Sequence, residues 1–229
     1  MREATLQGKQ EILETREVTL RFGGLEALNG LSFSVTPRQI VSVIGPNGAG
    51  KTTLLNAITG IYSPHGGEIF FHGTPISRLK PFQIAALGIN RTFQQAQLFS
   101  NMSVLQNVMV GMHPKTKAGF LSGALHPPAE RREEKKIRER AESLLEFFGL
   151  VPKADWTPGH LSIAEQKRLE ISRAMASEPE LLLLDEPVAG LNIRETEALG
   201  ELIIRLKEQG QTIILVEHNM HLVMGISDW

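Results

Sequence analysis

The chain has 229 residues, of which 41% are hydrophobic, with a formal net charge of -1 at pH 7 and no cysteine. This length and hydrophobic content allow a single domain with a buried core and exclude a disordered or fibrous protein. The lack of cysteine excludes disulfide bonds, thiol catalysis and cysteine-bound zinc. The near-neutral charge argues against non-specific nucleic-acid binding as the main activity.

Residues 14–44 predict short strands separated by turns. Apolar and polar residues alternate over residues 18–22 and again over residues 31–35, and Gly23 and Gly24 interrupt the pattern between them. Further along, two glycines mark a turn into another candidate strand at residues 68–72. We expect these strands to form a β-rich flap.

A glycine-rich loop, GPNGAGKTT, follows an apolar run at residues 40–44 that predicts a buried strand. In such a loop the backbone N–H groups converge on phosphate oxygens, Lys51 reaches the outer phosphates, and the Thr52 hydroxyl binds magnesium. The helix predicted from near Gly50 adds the positive end of its dipole. The predicted nucleotide-binding residues are Gly45, Pro46, Asn47, Gly48, Ala49, Gly50, Lys51, Thr52 and Thr53.

The middle of the chain, residues 100–160, has a different character. A loop-like stretch, HPKTKAGFLSGALHPP, precedes a highly charged helical run. One face of this helix is apolar, so the charged residues between indicate a solvated face. That apolar face consists of Ile137, Ala141, Leu144, Leu145 and Phe148. Because strand signals resume only at residue 181, we expect a helical subdomain inserted into an α/β core.

The last part of the chain alternates between strand and helix patterns. The order is a strand at residues 181–185, a helix at about 194–208, a stop at Gly210, a strand at 212–216 and a short helix. This alternation predicts a largely parallel sheet.

Two carboxylates, Asp185 and Glu186, stand where four consecutive leucines end. At the end of a buried strand, Asp185 can hold a metal through water and Glu186 can orient or deprotonate an attacking water. By itself this string is equally typical of an acidic surface turn. Its combination with the phosphate loop favours the catalytic interpretation.

The chain contains four motifs in this order: GPNGAGKTT, LSIAEQKRLEISRA, LLLLDEP and VEH. ATP-binding subunits of ABC transporters have the same motifs in the same order, and the chain resembles them over about residues 14–228. The resemblance implies an α/β, P-loop NTPase fold with a mostly parallel sheet, an antiparallel β flap and an inserted helical subdomain. We expect one domain, with the nucleotide-binding core and flap at residues 14–95 and 178–229. The helical subdomain would span about residues 96–177, after a polar extension at residues 1–13.

The resemblance also implies roles for residues outside the loop. Phe22 matches the aromatic residue that stacks on adenine, Gln94 the glutamine that links magnesium and water to the membrane subunit, and His218 the histidine at the γ-phosphate. The expected catalytic residues are Glu186, His218 and Gln94. The cofactors that the resemblance implies are ATP and Mg²⁺, and the expected magnesium ligands are Thr52, Gln94 and Asp185.

The signature segment of the family, which acts on the ATP of a partner subunit, corresponds to Leu161, Ser162, Ile163, Ala164, Glu165 and Gln166. Ile163 and Ala164 stand at two positions that are usually glycine. Since Ala164 adds a methyl group at a crowded contact, we expect weaker ATP-driven closure and slower hydrolysis with nucleotide binding retained. Asn192 stands where aspartate is commonest, and it keeps the hydrogen-bonding shape.

Within the family, residues 86–111, the long insert through residue 128 and residues 217–229 look most like the LivG-type subunit of branched-chain amino acid importers. Importers of urea or amides and the ATPase of lipopolysaccharide export share this scaffold and stay open as alternatives. So do two other classes, a soluble ABC ATPase and an inactive nucleotide-binding subunit.

The implied partners are a second ABC ATPase subunit, identical or different, the transmembrane permease subunits and, indirectly, a periplasmic or extracellular substrate-binding protein. No nucleic acid is expected. Apolar runs far shorter than a membrane span and a polar N-terminus predict a cytosolic chain. The resemblance implies a peripheral position at the cytoplasmic face of the inner or plasma membrane. Relatives continue beyond the positions of Ser227 and Asp228. We therefore expect a shortened C-terminus at Trp229, a less covered sheet edge and lower stability.

Overall fold

A computed structural model describes residues 11–93, 97–112 and 128–229, without the side chains at 128–131 and 133. The strands within these ranges are β1 (Leu13–Phe22), β2 (Leu25–Val35), β3 (Ile40–Val43), β4 (Gly66–Phe71), β5 (Thr74–Pro75), β6 (Ile89–Arg91), β7 (Leu181–Asp185) and β8 (Thr212–Val216). The α-helices are α1 (Lys51–Ile58), α2 (Pro81–Ala86), α3 (Val104–Val110), α4 (Pro128–Phe147), α5 (Ile163–Met175), α6 (Ile193–Glu208) and α7 (Met220–Ile226).

The first half of the chain builds an antiparallel sheet in the order β2-β1-β4-β5. Gly23, at a φ of 56°, and Gly24 form the turn of the hairpin, and Phe22 pairs with Leu25 across it. Both strands run well beyond the alternating segments seen in the sequence, because β-bulges shift the apolar positions and break the strict alternation. The predicted flap is confirmed.

A second sheet is entirely parallel, in the order β3-β8-β7-β6. Its central strand β7 shows why the sequence reads as an unbroken apolar run: Leu181 and Leu183 face one core cluster, and Leu182 and Leu184 face the other. Since helices cover one face and α1 with the antiparallel sheet covers the other, every residue of β7 is buried.

Strand β6 corrects the expectation that no strand signal occurs between the flap and residue 181. Ile89, Asn90 and Arg91 pair in parallel with the first residues of β7 and form one edge of the parallel sheet. Three residues with a single apolar member carry no detectable periodicity, so tertiary pairing alone defines this strand. The bounds of β7 and β8 match the prediction.

Helices α3, α4 and α5 pack against one another within residues 96–177, as the sequence predicts for the helical part. On α4 and the residue that follows it, Ala141, Leu144, Leu145 and Phe148 are buried, and Ile137 packs at the margin of the same cluster. The loop-like stretch at residues 113–127 lies outside the described residues. Within the described part of the chain, no helix is both long and apolar enough to cross a membrane.

The carboxyl ends of three parallel strands meet at one edge of the sheet. Val43 pairs with Val216, which in turn pairs with Asp185, so the segments that leave β3, β8 and β7 start side by side. Residues 227–229 run along β3, where Ser42 N–H donates to the Trp229 carbonyl and Asp228 N–H to the Ile40 carbonyl. The edge at β3 is thus covered by this segment.

Candidate active site

The glycine-rich loop connects β3 to α1. Towards α1 its backbone adopts a conformation that favours glycine. Gly48 and Gly50 have φ of 83° and 87°, in the left-handed region. A Cβ on Gly50 would lie 2.2 Å from the Ala27 carbonyl oxygen, so no other residue fits there. Gly50 is the N-cap of α1, and the exposed loop at residues 46–49 therefore lies at a helix N-terminus.

Lys51 is buried against the loop that it follows. Its ammonium donates to the Gly45 carbonyl at 2.7 Å and to the Pro46 carbonyl at 2.9 Å. An ammonium has three N–H donors, so one is left for an anion inside the curve of the loop. Thr52 is exposed and Thr53 half-buried in the first turn of α1.

Asp185, the last residue of β7, is part of a buried polar bridge. The Arg91 guanidinium donates to Asp185 Oδ2 at 2.6 Å and to Asn56 Oδ1 of α1 at 2.5 Å. The second oxygen, Asp185 Oδ1, is buried with no hydrogen-bond partner. A free carboxylate oxygen and the Thr52 hydroxyl are hard oxygen donors of the kind magnesium prefers, so the residues present fit that cation.

Glu186 follows Asp185 in a backbone conformation that is rare for a side chain with a Cβ, with a φ of 47°. Its N–H donates to the Val216 carbonyl at 2.9 Å, which ties this turn to the end of β8. His218 lies two residues beyond β8, with its Nδ1 3.8 Å from Glu186 Oε1. The Glu186 side chain is mostly buried, whereas that of His218 is exposed.

Phe22 lies at the end of β1 and is half exposed. Its ring meets the ring of Tyr62 edge to face, with centroids 5.0 Å apart, and Tyr62 is exposed to a similar degree. Two exposed aromatic rings present a surface on which a flat base can stack. Tyr62, which lies shortly after α1, was not among the residues predicted for the site.

Comparison with known proteins agrees with this geometry. Residues 28–189 match the pattern of a family described as "ABC transporter". The chain belongs to the ABC transporter family. It is 46% identical over 220 residues to the high-affinity branched-chain amino acid transport ATP-binding protein LivG of Escherichia coli (strain K12), covering 96% of this chain and 86% of that protein.

Two solved ABC cassettes have the same fold. A crystal structure of the ADP conformation of an ATP-binding cassette of an ABC transporter superposes with a TM-score of 0.82 at 33% identity, over 95% of this chain and 85% of that one. A dimeric post-hydrolysis cassette bound to ADP and Pi gives 0.76 at 27% identity, over 92% and 89%. The predicted family, fold class and ATP-hydrolysing activity are confirmed.

The ABC signature segment forms the start of α5. Ser162 is the N-cap: its hydroxyl accepts from Glu165 N–H at 3.3 Å while Glu165 accepts from Ser162 N–H at 2.9 Å. Leu161 is buried, and the Gln166 amide donates to the Leu161 carbonyl. The capping function of Ser162 was missed, although the Ser-x-x-Glu spacing signals it.

The two unusual signature residues differ in exposure. Ile163 is 56% exposed at the first position of α5, and Ala164 is half-buried. Among the described residues, no hydrogen bond or ion pair links residues 161–166 to the phosphate loop at residues 45–53 of the same chain.

Gln94 lies outside the described residues, but both sides of its segment are anchored to α5. Phe93 N–H donates to Glu170 at 2.8 Å, and Arg173 donates to the Gln97 carbonyl at 2.5 Å. Burial raises the pKa of the Glu170 carboxyl, and the hydrogen bond from Phe93 opposes that shift. The helix that begins with the signature segment therefore holds the chain next to Gln94.

Asn192 is the N-cap of α6. Its Oδ1 accepts from Glu195 N–H at 3.0 Å, and Glu195 accepts from Asn192 N–H. Asparagine and aspartate cap helices about equally well, so Asn192 supplies the cap that an aspartate would supply at this position.

Proposed function

We propose that this chain is the ATP-binding and ATP-hydrolysing subunit of an importer of branched-chain amino acids. The observation that carries the proposal is the arrangement of the phosphate loop, Asp185 and the Glu186–His218 pair at the carboxyl ends of three adjacent parallel strands. The transported substrate is taken from the name of the LivG relative, because the ATPase subunit itself does not touch that substrate.

The loop and the first turn of α1 bind the phosphates in this proposal. Backbone N–H groups at residues 47–50 and the positive end of the α1 dipole hold the anion, and the remaining Lys51 donor contacts the outer phosphate. Phe22 stacks on the adenine, and Tyr62 supports it from the edge.

Magnesium, when bound, neutralises charge that develops on the phosphates. Thr52 and Gln94 would hold it directly, and Asp185 through water with its unpaired Oδ1. In this assignment Arg91 occupies only the other carboxylate oxygen.

Glu186 receives a proton from the attacking water, and its backbone turn aims the side chain for that task. His218 lies close enough to Glu186 to share the γ-phosphate region with it and contacts the phosphate from the exposed side. Chemistry thus depends on two side chains from neighbouring strand ends.

A full site needs a second ATPase subunit, identical to this one or a sister chain. Its signature segment supplies a serine hydroxyl and a helix N-terminus to the γ-phosphate of ATP held here, and residues 161–166 do the same in return. ATP then favours the closed pair, and hydrolysis removes that preference. Permease subunits at the cytoplasmic face of the membrane respond to closure, and a substrate-binding protein delivers the amino acid to them.

The test is transport by the complete system. The chain is reconstituted in vesicles with its sister subunit, the permease subunits and the substrate-binding protein. The ATP-dependent uptake of leucine is then compared with that of urea. Leucine uptake that disappears with Lys51→Ala supports the proposal. Uptake of urea but not of leucine would identify the system as an amide importer. Uptake that does not depend on ATP would exclude the proposed role.

A further inference from the structure

Glu217 is a buried carboxylate directly after β8, between Val216 and the proposed catalytic His218. Its side chain is fully inaccessible to solvent. Three backbone N–H groups donate to it: Val188 to Oε1 at 3.2 Å, and His218 and Asn219 to Oε2 at 3.1 and 3.3 Å. Among the described residues, no lysine, arginine or histidine forms an ion pair with it.

These three donors come from two different segments. Val188 lies two residues after Glu186, in the turn that leaves β7, while His218 and Asn219 lead from β8 into α7. The carboxylate therefore connects the segment of Glu186 with the segment of His218. The two segments start from paired strand ends, since Asp185 pairs with Val216.

Packing alone does not account for a carboxylate at this position. Burying one is costly unless hydrogen bonds compensate, and an apolar residue of similar size would remove the acceptor of three N–H groups, of which that of Val188 is buried. The direction of the hydrogen bonds also matters, because all three groups facing Glu217 are donors and only a side chain that accepts on both atoms satisfies them.

We propose that Glu217 is a positioning residue for ATP hydrolysis: it holds His218 next to Glu186 by binding the backbone of both segments. This inference rests on the roles given above to Glu186 and His218. The 3.8 Å approach of His218 Nδ1 to Glu186 Oε1 is the contact that the carboxylate maintains. Asn219, held by the same oxygen as His218, caps α7 through a bond from Leu222 N–H, which stiffens the far side of the turn.

Two variants remove the connection in steps. Glu217→Gln can still accept from His218 and Asn219 but turns an amide N–H toward Val188, so it breaks the link between the segments. Glu217→Ala removes all three bonds. We expect kcat to fall about tenfold in Glu217→Gln and further in Glu217→Ala, with the KM for ATP within about twofold, because the loss is one of alignment.

Asp228→Asn is the matched control. Asp228 is also a carboxylate that accepts from a backbone N–H, that of Ile40, but it lies at the opposite end of β3 from the phosphate loop. The Asp228→Asn variant should have a lower thermal midpoint of unfolding and an unchanged kcat. A Glu217→Gln enzyme with a lowered midpoint and parental kcat would show a structural role only and overturn the proposal.

A double-mutant cycle with His218→Ala tests whether Glu217 acts through His218. We measure ATP turnover of the full chain in its reconstituted transporter for both single variants and the pair. The proposal expects the combined loss to be clearly smaller than the product of the single losses, and a full product would overturn it. If His218→Ala itself hydrolyses ATP at the parental rate, the proposed role of His218 fails instead, which keeps the two failures apart.

Discussion

Asp185 needs a partner because it is almost fully buried, and Arg91 supplies one. The guanidinium also contacts Asn56, so a single side chain links the strand that ends at Asp185 to the helix that follows the phosphate loop. Removing one member of a buried pair leaves the other charge uncompensated. Arg91 is thus a structural requirement of the site, although the proposed chemistry does not use it.

We predict that Arg91→Met lowers the free energy of unfolding by about 3–5 kcal/mol. Urea unfolding followed by circular dichroism measures this. Arg16→Met is the control, because Arg16 forms an ion pair with Glu14 that is exposed to solvent and should matter far less. An equal loss of unfolding free energy in the two variants would mean that the buried bridge contributes no more to stability than an exposed ion pair.

The sequence was sufficient to place individual candidate residues at strand and helix ends where a motif constrains the pattern. Asp185 and Glu186 lie at the end of β7, and Lys51 begins α1. It was not sufficient for Arg91 and Glu217, although Glu217 stands inside the VEH motif. Their importance comes from which atoms they reach across the fold, and residue spacing carries no information about that. The roles of all the candidate site residues, Gln94 and the signature residues included, stay predictions.

At the scale of elements, pattern length decided what could be predicted. The apolar runs of β7 and β8 and the amphipathic stripe of α4 are long enough to identify, and the structure has them at the expected places. Strand β6 is too short to identify from the sequence, because its conformation depends on pairing with β7. The bulged strands β1 and β2 were predicted at the correct places, but the predicted segments are shorter than the strands in the structure.

The edge at β3 carries a pH-dependent contact. Asp228 accepts from Ile40 N–H and pairs with Lys207 of α6. Partial burial raises the pKa of Asp228, but the hydrogen bonds from Lys207 and Ile40 outweigh it, so the pKa lies below its ordinary value of 3.8. A carboxyl whose pKa is lowered by folding stabilises the protein above its unfolded value, and this contribution is lost as pH falls through the folded value.

We predict that Asp228→Asn, which keeps the acceptor for Ile40 but loses the charge, costs about 1 kcal/mol at pH 7, discounted for partial exposure. The difference from the parental chain should stay constant near neutral pH and shrink once pH drops below about 4. Urea unfolding at several pH values measures it. A difference that grows on acidification would reverse the assigned sign.

At the scale of the whole molecule, two core clusters on opposite faces of the parallel sheet hold the strand ends in register. One cluster joins the sheet to α3, α4 and α5, and the other joins it to α1 and the antiparallel sheet. The site lies at the strand ends between them. Helix α5 begins with the signature segment and holds Phe93, next to Gln94, through Glu170.

The central claim is that Glu186 performs the proton transfer of ATP hydrolysis in a site that binds nucleotide through the phosphate loop. Glu186→Gln keeps the shape of the side chain and removes its basicity, while Lys51→Ala removes a phosphate contact and serves as the comparison for binding. Turnover and nucleotide affinity are measured for both in the reconstituted transporter. The account predicts that Glu186→Gln binds ATP as the parental chain does but hydrolyses it about a hundredfold more slowly; hydrolysis at the parental rate would contradict it.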